Sequence, residues 1–179
     1  MKQQNITYQS QTGFTLIEIG AVIIIGSILV ILAVGVIRPM LTAAKAQNMY
    51  TDLQLLQQNI RSDYNGQSDG YSSVSNEEII KAKSYPSVWS TNGSKLFTSY
   101  AGEVVVSADS NEVFTINFAK VQSDLCQKII PQLVQSNAFI KIDINDSQLW
   151  ADGAVMPKKS DITSACMATN TVPIKISSN

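Results

Sequence analysis

Residues 12–19 read TGFTLIEI, and they open an apolar run that continues to Ile37 and then meets Arg38. Of the 24 residues from Phe14 to Ile37, 18 are apolar and only Glu18 is charged. As a helix the run spans roughly 36 Å, enough for a hydrocarbon core of about 30 Å. Its uncharged part, Ile19–Ile37, is longer than the apolar core of a secretory signal, about 7–15 residues. Ala33-Val34-Gly35 still has the small-x-small form of a cleavage site. Two other fates therefore stay open here: a secreted chain beginning at Val36, or a plain single-span anchor beginning at Met1. Lys2 precedes the run while Arg38 and Lys45 follow it, so counting positive charges does not orient it. Glu18 is the discordant residue. A carboxylate at the membrane centre costs about 2.5–3.5 kcal/mol, and less near one end. It either snorkels to the headgroups or awaits a partner.

The other residues set the bounds. The chain has 179 residues, 13 Lys and Arg against 14 Asp and Glu, no His and two Cys. Outside the apolar run it is polar and rich in Ser, Asn, Gln and Asp. That is one domain with an appendage. No basic stripe points to direct contact with nucleic acid. With two Cys and no His, a zinc site of Cys and His ligands is implausible, and catalysis by a His base has no residue to build it. There is no Gly-rich phosphate loop, C-x-x-C or nucleophile elbow. Asp143, Asn145 and Asp146 alternate oxygen ligands in the manner of a calcium loop, but the remaining positions of such a loop are missing. Glu77-Glu78 and Lys158-Lys159 read as solvated surface, and Trp89, Trp150 and Tyr100 as packing residues ahead of receptor contacts. No enzyme activity, cofactor or metal is expected.

Gly13-Phe14-Thr15-Leu16-Ile17-Glu18, followed by a membrane-length apolar run, closely resembles the amino terminus of type IV pilin precursors (prepilins). The resemblance implies that a prepilin peptidase cuts between Gly13 and Phe14 and N-methylates Phe14. The apolar helix then stays on the mature chain, holding it in the inner membrane with its amino terminus cytoplasmic and its head periplasmic. Later the helix becomes the core of an extracellular pilus, a helical homopolymer of the chain with itself. Further partners implied are an inner-membrane platform, an assembly ATPase and an outer-membrane secretin. The cut frees an α-amine with pKa about 7.7–8.0, largely cationic near neutrality. Glu18 of one subunit can meet the Phe14 amine of its neighbour, and buried polar pairs of this kind set register.

The chain departs from the family pattern in its 13-residue leader, in Thr12 where Lys or Arg is common, and in Gly35 where many members have proline. Gly26, Gly35 and Pro39 still disfavour a straight helix, so a bend or local melting is expected between Gly26 and Pro39.

Beyond Pro39, Ala46, Met49, Leu53, Leu56, Ile60 and Tyr64 recur at spacings of three and four, and Asn65-Gly66 marks a stop. Phe14–Tyr64 is thus one helix of roughly 77 Å. Residues 65–100 read as a loop region with one short helix over 76–83, started by Ser75-Asn76-Glu77-Glu78 and ended at Tyr85-Pro86. Glu103–Ala108 and Glu112–Phe118 read as a hairpin about Asp109-Ser110-Asn111. Gln122–Ser136 reads as a helix that Pro131 kinks or shortens. Phe139–Ile144 and Val172–Ile176 read as strands, and Asp152-Gly153 as a turn. Cys126 and Cys166 fall in the part assigned to the oxidising periplasm and are candidates for a disulfide, the alternative being two buried thiols. The pair resembles the disulfide of the pilin carboxyl-terminal region. Its wide spacing, the long leader and the helix around Cys126 resemble the type IVb branch, although Phe14 is less typical there.

The expected fold is α+β, the type IV pilin fold. Its parts are a leader (1–13), a long helix (14–64, with 14–37 in the membrane or filament core) and a head (65–179) with an antiparallel sheet. The expected function is the major subunit of a type IVb-like pilus for adhesion, aggregation or conjugative mating. A minor pilin or type II secretion pseudopilin is the nearest alternative. A secreted or membrane-anchored ligand-binding protein is the alternative from another class.

Overall fold

Apolar residues at helical spacing need a surface to cover them, and Ala46, Met49, Leu53, Leu56 and Ile60 find one. In the computed structural model all of them are buried along a single stripe. They belong to α1 (Leu16–Tyr64), a helix of 49 residues. The structure describes residues 15–179, the side chains of 31–39 excepted. The chain forms two units, Met1–Met40 and Leu41–Asn179. Helix α1 is uninterrupted at Gly26, where an added Cβ would find open space. Gly35 and Pro39, the other expected weak points, fall outside the described side chains.

Helix α1 stops at Tyr64, where Gln67 N–H donates back to the Tyr64 carbonyl and Gly66 takes a φ of 82°. A left-handed residue is cheap only for glycine. Gly70 (φ 56°) is more constrained still: a Cβ there would lie 2.0 Å from the Asn111 carbonyl oxygen. This close approach lets Tyr71 N–H donate to that same carbonyl (2.9 Å) and brings the Tyr71 ring against Phe114, tilted by 60°. Helix α2 (Asn76–Ala82) starts as its sequence suggests. Ser75 accepts from Glu78 N–H, while the Glu78 carboxylate turns outward to Lys81. Lys83 closes the helix in the left-handed conformation.

The remaining elements are β1 (Ser90–Asn92), β2 (Lys95–Thr98), β3 (Gly102–Ala108), β4 (Phe114–Gln122), α3 (Ser123–Gln135), β5 (Lys141–Ile144), β6 (Ser147–Ala151), α4 (Lys159–Cys166) and β7 (Thr171–Ser178). The strands form one antiparallel sheet in the order β1-β2-β3-β4-β7-β5-β6. Register places apolar side chains in two rows across it. One runs Val106, Ile116, Ile176, Ile142, Trp150 and the other Leu96, Val104, Phe118, Ile174, Ile144. Every member of both rows is buried. Cross-strand pairs of this type are what stabilise a sheet. The fold is thus α+β, with a long amino-terminal helix and an antiparallel head.

The sheet edges are guarded. β1 has three residues, and the β5–β6 register shifts between Ile142 and Asp143. Where the pairing of β2 with β3 ends at Val104, Asn76 continues the edge as a substitute strand residue. Its side chain donates to the Val104 carbonyl (2.9 Å) and accepts from Val106 N–H (2.7 Å). Short, bulged or covered edges resist unwanted strand pairing.

Several expectations need correction. Residues 90–98, expected as loop, form the β1–β2 hairpin. Its two-residue turn has Gly93 first with φ 61°, as a type II′ turn requires. Strand β6 was not anticipated; the turn before it uses Asn145 and Asp146, both with positive φ, as in type I′. Helix α4 was not anticipated either. Pro131 does not shorten α3, which continues to Gln135 and buries Leu133 and Val134 beyond it. The hydrogen bond that proline removes would fall on half-exposed Gln127, and the added burial offsets its loss. A second proline, Pro173, sits inside central strand β7. The β4–β7 register shifts between Phe118 and Val121, opposite Pro173, so the missing N–H falls at a bulge.

Candidate functional site

Two regions carry the residues singled out from sequence. The first is the start of α1. The cleavage residues Gly13 and Phe14 lie outside the described residues. Thr15 precedes the first turn, and its carbonyl accepts from Glu18 N–H (3.0 Å) and Ile19 N–H (3.2 Å). The Thr15 hydroxyl donates to Glu18 Oε2 at 3.5 Å. Thr15 and Glu18 thus stand as N-cap and third helical residue, the T-x-x-E spacing of a capping box. The sequence carried that signal and it was not read as one. A carboxylate in the first turn is also favoured by the helix dipole.

Around Glu18 the helix has no polar face. Leu16 is 91% exposed and Ile17 82%, and Ile19, Val22, Ile23, Ile24 and Ile25 are exposed as well. An α-helix that is apolar all round needs an apolar environment. Among the described residues no helix is long and apolar enough to cross a membrane. The expected span reaches Ile37, and positions 31–37 lie outside the described side chains.

The second region is the disulfide-bounded end of the head. Cys126 lies in the opening turns of α3 and Cys166 at the end of α4. Their sulfurs are bonded, with Cα atoms 5.7 Å apart and both residues fully buried. Ser123 ties the same place together. Its hydroxyl donates to the carbonyls of Thr169 (2.6 Å) and Asn170 (3.0 Å). A polar cleft opens here between Asp124, Met167 and Thr171.

The other candidates resolve into structure. Asn145 and Asp146 form the turn before β6. Asp143 pairs with Lys141 (2.9 Å), and no cluster of acidic or thiol ligands suited to a metal occurs among the described residues. Trp150 is buried and donates to the Ala154 carbonyl. Trp89 is buried edge-on to Phe118 and donates to Asp52 Oδ2 at 3.1 Å. Burial raises the Asp52 carboxyl above 3.8, with the Trp89 hydrogen bond opposing. Burial likewise raises the Tyr64 hydroxyl. Sequence reading missed Gln57, which is buried in α1 and bonded to Ser178 Oγ at 2.6 Å. Gln57 lies on the buried stripe, four residues after Leu53 and three before Ile60, but a lone glutamine there does not name a partner so distant in sequence.

Residues 43–178 match the PilS N-terminal family. A crystal structure of the type IVb pilin from Salmonella typhi superposes with a TM-score of 0.57, covering 71% of this chain and 95% of that one at 23% identity. The NMR structure of the type IVb pilin PilS from Salmonella typhi gives 0.50, covering 74% and 94% at 23% identity. No curated protein matches the sequence. The family match begins beyond Ile37, so it is independent of the amino-terminal motif that first suggested a pilin. Matched over most of its length and sharing the fold of these solved pilins, the chain belongs to the PilS N-terminal family and is a type IVb-like pilin.

Proposed function

We propose that the chain is a prepilin cut after Gly13, N-methylated at Phe14 and polymerised as the major subunit of a type IVb-like pilus. The observation that carries this reading is the described start of α1, apolar on every face and interrupted by one carboxylate, Glu18. Before assembly this segment would rest in the inner membrane with the head in the periplasm. Assembly would bring in the peptidase, the membrane platform, the ATPase and the secretin. The segment would then leave lipid for contact with neighbouring helices, bending or melting between Gly26 and Pro39 as the filament requires. The disulfide favours a pilin over a pseudopilin. Adhesion, aggregation and conjugative mating are the roles such a fibre serves. The chain would do no chemistry of its own.

Glu18 now has two candidate roles: local cap with Thr15, or partner of the Phe14 amine on the next subunit. A glutamine side-chain oxygen can still accept from the Thr15 hydroxyl but carries no charge. We expect Glu18→Gln, like Glu18→Ala, to be processed normally yet to give few or no filaments by electron microscopy. Filaments of ordinary length from Glu18→Gln would reduce Glu18 to a cap. Amino-terminal sequencing tests the processing step: a mature chain starting at Val36 or Met1, rather than Phe14, would refute it.

A further inference from the structure

Strand β7 is last in the chain yet lies inside the sheet, between β4 and β5. Strands β1 to β4 are neighbours in chain order, and β5–β6 is a separate hairpin. In the sheet these two blocks meet only through β7. Its Ile174 and Ile176 complete both apolar rows, and it bonds to β4 on one side and β5 on the other. With β7 withdrawn, Ile116 and Phe118 on one side and Ile142 and Ile144 on the other would face an open groove. The groove would be lined by unpaired N–H and C=O groups.

Both ends of β7 are pinned. Before it, Cys166 is bonded to Cys126 and Ser123 holds the carbonyls of Thr169 and Asn170. Between pin and strand, Met167–Asn170 is exposed. After it, Gln57 of α1 donates to Ser178 Oγ (2.6 Å) and to the Ala138 carbonyl. Arg61 of α1 donates to the carbonyl and, at 3.1 Å, to the side-chain oxygen of Asn179. Gln57 and Ser178 are buried, so this latch is shielded from water. Gln57 and Ser178 are 121 positions apart, and contacts across such separations form only after costly loop closure.

We propose that β7 is a closing strand: β5, β6 and β7 open and shut as one cooperative unit against β1 to β4, and the Gln57–Ser178 and Arg61–Asn179 contacts hold that unit closed on α1. The head is then finished only when its last strand has been delivered. The helix reads that completion directly, through two side chains rather than through apolar packing alone. The inference rests on the fold and is independent of the filament reading, because its test uses the unassembled chain.

The test is native-state hydrogen exchange on the full chain in detergent, comparing wild type with Gln57→Ala and Arg61→Ala. Amides of β5, β6 and β7 are expected to exchange together, faster than those paired between β3 and β4. Gln57→Ala should speed that set on the order of tenfold and leave the β3–β4 amides unchanged. Arg61→Ala, at the exposed end of the latch, should act on the same set by less, and it keeps the test available if Gln57→Ala does not accumulate. Amides between β5 and β6 that stay protected while β7 exchanges would overturn the proposal. So would equal acceleration of β3–β4 and β7 in either variant.

Discussion

The disulfide offers the most quantitative test of how the head is held. It joins residues with a sequence separation of 40, and the loop it closes contains β5, β6 and most of α4. Removing that cross-link frees the unfolded chain by about 4 kcal/mol on the chain-entropy estimate. Alanine is the replacement to use, since both cysteines are fully buried and serine would bury two hydroxyls without partners. The lost sulfur packing adds roughly 1 kcal/mol. A domain of this size loses about 2–4 °C in Tm per kcal/mol. Cys126→Ala/Cys166→Ala is therefore expected to lower Tm by roughly 10–20 °C. Near-ultraviolet circular dichroism of the full chain in detergent reads this directly, with buried Trp89 and Trp150 as reporters. Reduced wild type should melt with the double variant, which separates the bond from the substitution. A fall of less than about 4 °C would refute the reasoning, because it would mean that the unfolded chain already holds α3 and α4 together without the bond.

Three further outcomes are expected. Leu53→Ala, at the centre of the buried α1 stripe, should cost about 2–5 kcal/mol by urea titration. Leu55→Ala, 43% exposed two residues away, should cost well under about 1 kcal/mol, and equal losses would contradict the assigned helix face. Gly70→Ala should destabilise more than Gly66→Ala. Both glycines have positive φ, but only at Gly70 would the new Cβ strike a backbone atom; urea midpoints in the reverse order would count against the close approach. At Asp52 burial raises the folded carboxyl above 3.8, so the folded chain holds the proton more tightly than the unfolded one. The stability this contributes is complete below pH 3.8 and is lost as pH rises through the folded value. Asp52→Asn should therefore gain in Tm relative to wild type as pH rises through that window. A difference that is flat with pH, or that falls, would exclude burial as the dominant influence on Asp52.

What could be read from sequence follows from the range of each interaction. The buried stripe of α1 was legible because helical periodicity is a local signal, and the stop at Tyr64 because Asn65-Gly66 follows it. The β3–β4 hairpin was legible because a polar turn separates two β-rich runs. The β1–β2 hairpin had a comparable signal in Gly93-Ser94, lost in a stretch dominated by turn formers. Strand β6 was hidden because Asn145 and Asp146 are chemically ambiguous: the same oxygens suit a metal loop or a type I′ turn, and only the φ angles separate them. Helix α4 is eight residues with only Ile162 and Cys166 buried, too little for a periodic pattern. The central place of β7 was not legible at all. Strand order depends on pairings between distant segments, and a proline inside a strand argues for an edge until the bulge opposite it is seen.

The exposed start of α1 raises a question that one chain cannot answer alone. The head buries its own core, whereas Leu16, Ile17 and the residues after them face outward. Leaving a large aliphatic side chain in water forgoes about 1.5–3 kcal/mol. A few turns of such helix forgo more than the roughly 5–15 kcal/mol that keeps a typical domain folded. Something apolar must cover the segment, and lipid and other copies of the same helix serve equally well on that count. Apolar burial therefore does not choose between membrane and filament. Under the processing proposed above, Glu18 would make that choice: lipid tails offer a carboxylate no partner, whereas a neighbouring subunit cut after Gly13 would offer the Phe14 amine. The long hydrogen bond from the Thr15 hydroxyl (3.5 Å) gives that carboxylate one local donor within its own helix. That is why removing the charge while keeping the acceptor, as Glu18→Gln does, is the decisive substitution.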